Sequence, residues 1–120
     1  MGTLDGRKML VVEDEMIVMM NLEFVLEDLG CSAIYPAASV VQALALLDQE
    51  SFDIAILDVN LGEENSYPIA DILIARGIPF AFSTGYSNHG TRTDLDSQLV
   101  LRKPYLSSDV ARVVDQLLKH

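Results

Sequence analysis

The chain has 120 residues, half of them hydrophobic, with 18 acidic against 8 basic side chains and a formal charge of -10. That length suits one domain with a real core, and that composition argues against disorder. The negative balance disfavours nucleic acid and anionic membrane surfaces as partners, while leaving room for a cation held by clustered carboxylates. Cys31 is the only cysteine, so no internal disulfide is available and a reducing, cytoplasmic setting is expected. No stretch reaches the ~20 apolar residues of a membrane span. Met1 to Gly6 has no apolar signal core, so export is not expected.

Lys8-Met9-Leu10-Val11-Val12 reads as a first buried strand and ends in the acids Glu13, Asp14 and Glu15. Met16 to Leu29 has helical spacing, through Leu22, Leu26 and Leu29, and Gly30 stands at its stop. Glu15 reads as a first-turn acid of that helix, favoured there by the helix dipole. Ser32 to Tyr35 is a weaker strand, which Pro36 is expected to end. Ser39 and Gln42 fit a capping box for a helix to about Asp48, with Val40, Ala43, Leu44 and Leu47 inward. Ile54-Ala55-Ile56-Leu57-Asp58 is the central strand, apolar on both faces and closed by a carboxylate. Leu61 to Pro68 reads as a loop and Ile69 to Ala75 as a short helix that Gly77 terminates.

Phe80-Ala81-Phe82 is the next strand, closed by Ser83-Thr84-Gly85-Tyr86. Ser87 to Ser97 is polar and nearly without apolar periodicity, so a short or irregular helix of low stability is expected there. Leu99-Val100-Leu101 leads into Arg102-Lys103-Pro104. Ser107 or Ser108 can cap a last helix through Leu118, whose inward face includes Val110, Val113, Val114 and Leu117. Strand and helix thus alternate about five times, which predicts a doubly wound α/β fold with a parallel sheet and helices on both faces. No linker, repeat or second domain is visible over 1–120, and neither familiar glycine-rich nucleotide loop is present.

Glu13-Asp14, Asp58, Thr84 and Lys103-Pro104 stand in this order, each at a strand end, over essentially the whole chain. In this it resembles the receiver domain of two-component response regulators. The Phe80-Ala81-Phe82-Ser83-Thr84-Gly85-Tyr86 stretch, with the thin segment after it, resembles single-domain alphaproteobacterial receivers, which carry a Phe-Ala-Thr-Gly-like motif and are often linked to general stress signalling. The resemblance implies a flavodoxin-like sheet of five parallel strands in the order 2-1-3-4-5. It implies Asp58 as acceptor of a phosphoryl group from a phosphohistidine on a sensor histidine kinase or histidine phosphotransfer protein. Mg²⁺ would be held by Glu13, Asp14, Asp58 and the backbone carbonyl of Asn60, with Glu13 acting through water. Lys103 would pair with Asp58 and then with the phosphoryl group, and Thr84 would donate its hydroxyl to a phosphoryl oxygen. Such a domain catalyses its own phosphorylation and slow dephosphorylation, and acts on a downstream protein or serves as a phosphate sink.

Two positions depart from the family pattern. Glu13 stands where Asp is commoner, and Val100 stands where the last strand usually carries Phe or Tyr. The usual inward turn of that aromatic cannot operate unchanged, and Tyr86 and Tyr105 are substitutes by position, or packing residues. His89 and His120 have no neighbours at metal-ligand spacing. The alternatives are a protein-binding module of the same fold without phosphorylation, which the intact acid, threonine and lysine set disfavours, and a small hydrolase, for which no histidine base is placed.

Overall fold

Strands that are apolar on both faces need cover on both faces, and the fold supplies it with two layers of helices. The computed structural model describes residues 6–84, 99–103 and 105–119. In chain order its elements are β1 (Lys8–Val12), α1 (Met16–Asp28), β2 (Ala33–Ala37), α2 (Val40–Gln49), β3 (Ile54–Asp58), β4 (Asn60–Leu61), β5 (Glu64–Asn65), α3 (Tyr67–Ala75), β6 (Phe80–Thr84), β7 (Leu99–Arg102) and α4 (Ser107–Leu118). The main sheet runs β2-β1-β3-β6-β7, and every neighbouring pair is parallel. Numbered among themselves, these five strands take the expected order 2-1-3-4-5.

The twofold alternation of side chains divides the core. Leu10, Val12, Ala55, Leu57, Phe80 and Phe82 face α2 and α3, where Val40, Ala43, Leu47, Ile69 and Leu73 meet them. Met9, Val11, Ile54, Ile56, Ala81 and Leu101 face α1 and α4, against Leu22, Leu26, Val110, Val114 and Leu117. Each buried Leu, Ile or Phe contributes on the order of 1.5–3 kcal/mol, so the two layers together set the register of every strand.

Four local expectations change. β2 continues through Pro36 to Ala37 and pairs with β1 along its length. It is an edge strand, where the missing proline N–H can face outward without breaking a ladder. The loop after Asp58 contains a two-stranded hairpin, β4 with β5, turned by Gly62 at φ 69° and Glu63. α3 begins at Tyr67, with Pro68 in its first turn, where an absent N–H costs nothing. α4 is not capped by serine: Ser107 is already helical, and the carboxylate of Asp109 reaches back to accept the Leu106 N–H at 2.8 Å. The α2 cap is close to the expected one. Ser39 Oγ accepts the Gln42 N–H at 3.2 Å, and Gln42 Oε1 accepts from Ala38, one residue ahead of the cap, at 2.8 Å.

Candidate functional site

A parallel sheet delivers every strand's C-terminal end to one edge, so residues that end strands converge there. The chain leaves β1 toward β2 and returns past it to β3, and this reversal opens a crevice over β1 and β3. Asp58 ends β3 and is 5% exposed; Glu13 follows β1 and is 3% exposed. The Glu13 N–H donates to the Ala37 carbonyl at 3.0 Å, which continues the β1–β2 ladder and fixes where its side chain starts. Lys103 follows β7, and its N–H donates to the Thr84 carbonyl at 2.8 Å, anchoring the lysine to the end of β6.

The Lys103 ammonium lies 2.8 Å from Glu13 Oε2 and 3.1 Å from Asp58 Oδ2, with Glu15 Oε1 farther off at 3.8 Å. Glu13 accepts the Glu15 N–H through its other oxygen, Oε1, at 3.1 Å. The Asn60 N–H donates to Asp58 Oδ1 at 3.4 Å, a long bond that leaves this oxygen loosely held.

One ammonium thus serves two buried carboxylates. Burial pushes the Glu13 carboxyl up from 4.5 to about 7, and the Asp58 carboxylate beside it adds to the rise, while Lys103 and the Glu15 N–H oppose it. Burial alone would lower the Lys103 ammonium; its hydrogen bonds to Glu13 and Asp58 outweigh that and hold it above its ordinary 10.5. Tyr105 stands nearby, pushed up to about 12 by burial and then by Glu13. Its hydroxyl is buried without a hydrogen-bond partner among the described residues and its side chain packs against the α1–α4 core, as expected of a packing residue.

A cleft of 740 Å³ opens over the ion pair, and Asp14, Asp58, Asn60, Thr84 and Lys103 all line it. Glu13, 3% exposed, meets residues that line it, the Lys103 ammonium through Oε2 and the Glu15 N–H through Oε1. Glu13, Asp14, Glu15 and Asp58 each bring a carboxylate oxygen within 4.8 Å of the others'. An all-oxygen donor set with an open side suits a hard cation that keeps several waters, which describes Mg²⁺.

Every site residue expected from the sequence and described here converges at this edge. Glu15 is different from its expectation. It is the N-cap of α1, makes no capping bond with its side chain, and turns its carboxylate to the cleft instead. The available signal was the unbroken run of three acids at a strand end. Val100 pairs in register with Phe82 and is partly buried. Gly85, Tyr86, His89, the segment Ser87 to Ser97, Pro104 and His120 lie outside the described residues.

Comparison with known proteins places the chain. The family described as the response regulator receiver domain matches residues 9–114. The sensory transduction protein LytT of Bacillus cereus is 34% identical over 117 residues, 94% of this chain and 46% of LytT. The chain therefore spans about half the length of the curated relatives it matches first. The solution structure of SdrG from Sphingomonas melonis Fr1 superposes with a TM-score of 0.84 at 40% identity, covering 98% of this chain and 99% of SdrG. A second SdrG structure, the BeF3-activated conformation reported from Pseudomonas melonis Fr1, gives a TM-score of 0.79 at 41% identity over 92% of this chain and 95% of that one. With the match running through both core layers and the strand-end acids, this chain belongs to the response regulator receiver domain family and is a receiver of two-component signalling.

Proposed function

We propose that Asp58 is the phosphoacceptor and that the domain takes its phosphoryl group from a phosphohistidine on a kinase or phosphotransfer protein. The observation that carries this reading is the single ammonium of Lys103 held between Glu13 and Asp58 at the floor of an open acidic cleft. An Asp58 oxygen attacks phosphorus, the phosphorus–nitrogen bond breaks, and imidazole leaves with the electron pair and takes up a proton. The weakly held Oδ1 is the better placed of the two oxygens, because Oδ2 is occupied by Lys103. Lys103 is close enough to follow the new charge onto the phosphoryl oxygens without leaving the site. Thr84, also at the cleft wall, supplies a hydroxyl from the end of β6.

Receiver domains generally bind Mg²⁺ at an acidic cluster. Here Asp14, Asp58 and the Asn60 carbonyl would hold it, with Glu13 through water; when bound it neutralises charge on the transferring phosphoryl oxygens. Calorimetric titration is expected to find Mg²⁺ affinity in the millimolar to sub-millimolar range. Asp14→Asn should weaken it more than tenfold, since the exposed Asp14 supplies charge at the cleft and little packing.

A protein donor must rest on the rim of the cleft. α1 offers an apolar stripe that starts one residue past Glu15, with Met16, Ile17, Met20 and Phe24 exposed by 76, 83, 61 and 71%. Such a patch presents on the order of 500 Å², which suits a transient encounter better than a permanent dimer. We assign it to the protein that carries the phosphohistidine.

The experiment is incubation with acetyl phosphate and Mg²⁺, followed by intact mass and peptide mapping. One hydroxylamine-labile phosphoryl group on Asp58 is expected, and none on Asp58→Ala. The same adduct on the variant would refute the assignment.

A further inference from the structure

Glu15 is the acid that phosphoryl transfer leaves unused. It occupies the N-cap of α1 with extended backbone, φ -90° and ψ 113°, the position from which a side chain normally accepts an N–H of the first turn. It accepts none. Its carboxylate leans over the cleft, 66% exposed, with Oε1 3.8 Å from the Lys103 ammonium. That ammonium is already engaged at 2.8 Å by Glu13 and at 3.1 Å by Asp58, so little of its charge is left for Glu15. Glu15 also lines the adjoining groove of 550 Å³, whose walls include Ile17, Val18 and Tyr105. A weakly compensated negative charge therefore stands at the entrance, between the acceptor and the surface from which a donor must come.

We infer that Glu15 selects the phosphodonor: its carboxylate holds back small anionic donors and admits a phosphoryl group borne on imidazole. This rests on Asp58 being the phosphoacceptor. Near neutral pH an acyl phosphate arrives as a dianion with nothing to offset its charge, whereas the ring of a phosphoimidazole can carry a compensating proton. A unit charge about 6 Å from an incoming dianion in a wet, salt-screened cleft changes its encounter on the order of three- to tenfold. The same charge attracts a divalent cation, so removing it should affect metal and donor in opposite directions. A residue that merely supported the fold would not separate them.

The test compares wild type with Glu15→Gln, which keeps the size and the backbone N–H that Glu13 accepts. Rates of adduct formation are measured at saturating Mg²⁺ with acetyl phosphate and with phosphoimidazole, and Mg²⁺ binding is measured alone by calorimetry. The variant is expected to react three- to tenfold faster with acetyl phosphate, less than twofold faster with phosphoimidazole, and to bind Mg²⁺ a few-fold more weakly. The acetyl phosphate gain should shrink as salt is raised. Equal acetyl phosphate rates in the two proteins, or an equal gain with both donors, overturn the selecting role while leaving Asp58 in place. Absence of any adduct on wild type with either donor overturns the Asp58 assignment, and this inference with it.

Discussion

Lys103→Met is expected to lower metal-free stability at pH 7 by about 3 kcal/mol, the usual cost of removing one partner from a buried ion pair. The methionine fills most of the space, so the loss is electrostatic. Glu13 and Asp58 have side chains only 2 and 7% exposed, and no other described cation lies within ion-pair distance of either. They would have to take up a proton or admit water. Mg²⁺ should repair most of the loss, because a divalent ion supplies the missing charge, and the variant should bind it more tightly than wild type. Phosphorylation should move the other way and slow by at least tenfold, since the cation that follows the phosphoryl charge is gone. Urea unfolding with and without Mg²⁺ measures the first two effects and acetyl phosphate labelling the third. An unchanged metal-free midpoint would show that the shared ammonium contributes nothing to the fold.

The second large effect is a dependence on pH. Glu13 stands at about 7 in the folded protein against 4.5 in the unfolded chain. Between these values the folded state keeps a proton that the unfolded state has released. Its stabilising contribution is full below pH 4.5 and is lost as pH rises through about 7. At 1.36 kcal/mol per unit, metal-free protein should lose up to roughly 3 kcal/mol across that window through this group. Glu13 is almost fully buried, so solvent screening takes little from the figure. Lys103 does not enter the same window, because its raised ammonium titrates above 10.5. Glu13→Gln should abolish the slope and be the more stable protein above pH 7, and saturating Mg²⁺ should flatten the wild-type curve by favouring the ionised form. Parallel curves for wild type and Glu13→Gln, from chemical denaturation at pH 5 and pH 7.5 without metal, would remove Glu13 as the source.

Much of the core was legible because its signals are local. Ile54 to Leu57 is apolar on both faces, and a run of that kind has no stable place but the middle of a covered sheet. The helical periods of α1, α2 and α4 pointed to the side chains that are buried, including Leu22, Leu26, Ala43, Leu47, Val110 and Leu117. The local expectations that changed did so for different reasons. Pro36 stops a central strand but is tolerated at an edge, and only the strand order makes β2 an edge. Ser107 and Ser108 are good caps by type, yet the cap falls to Leu106 because Asp109 reaches its N–H. The hairpin after Asp58 has two residues per strand, too few for an alternation to be read.

The sequence by itself determined the alternation of strands and helices, the inward faces of α1, α2 and α4, and the set of acids, threonine and lysine that stand at strand ends. These follow from periodicity and from the rule that charge is expelled from a central strand to its end. Tertiary structure alone decided how the charges are shared. Which carboxylates meet Lys103 depends on β1, β3 and β7 ending at one edge, although their residues are 45 and more positions apart. That Glu13 is buried and raised while Glu15, two residues on, is exposed over the cleft is likewise set by the turn from β1 into α1. Charge interactions fall with distance in space and depend on local solvent, and neither quantity is written along the chain.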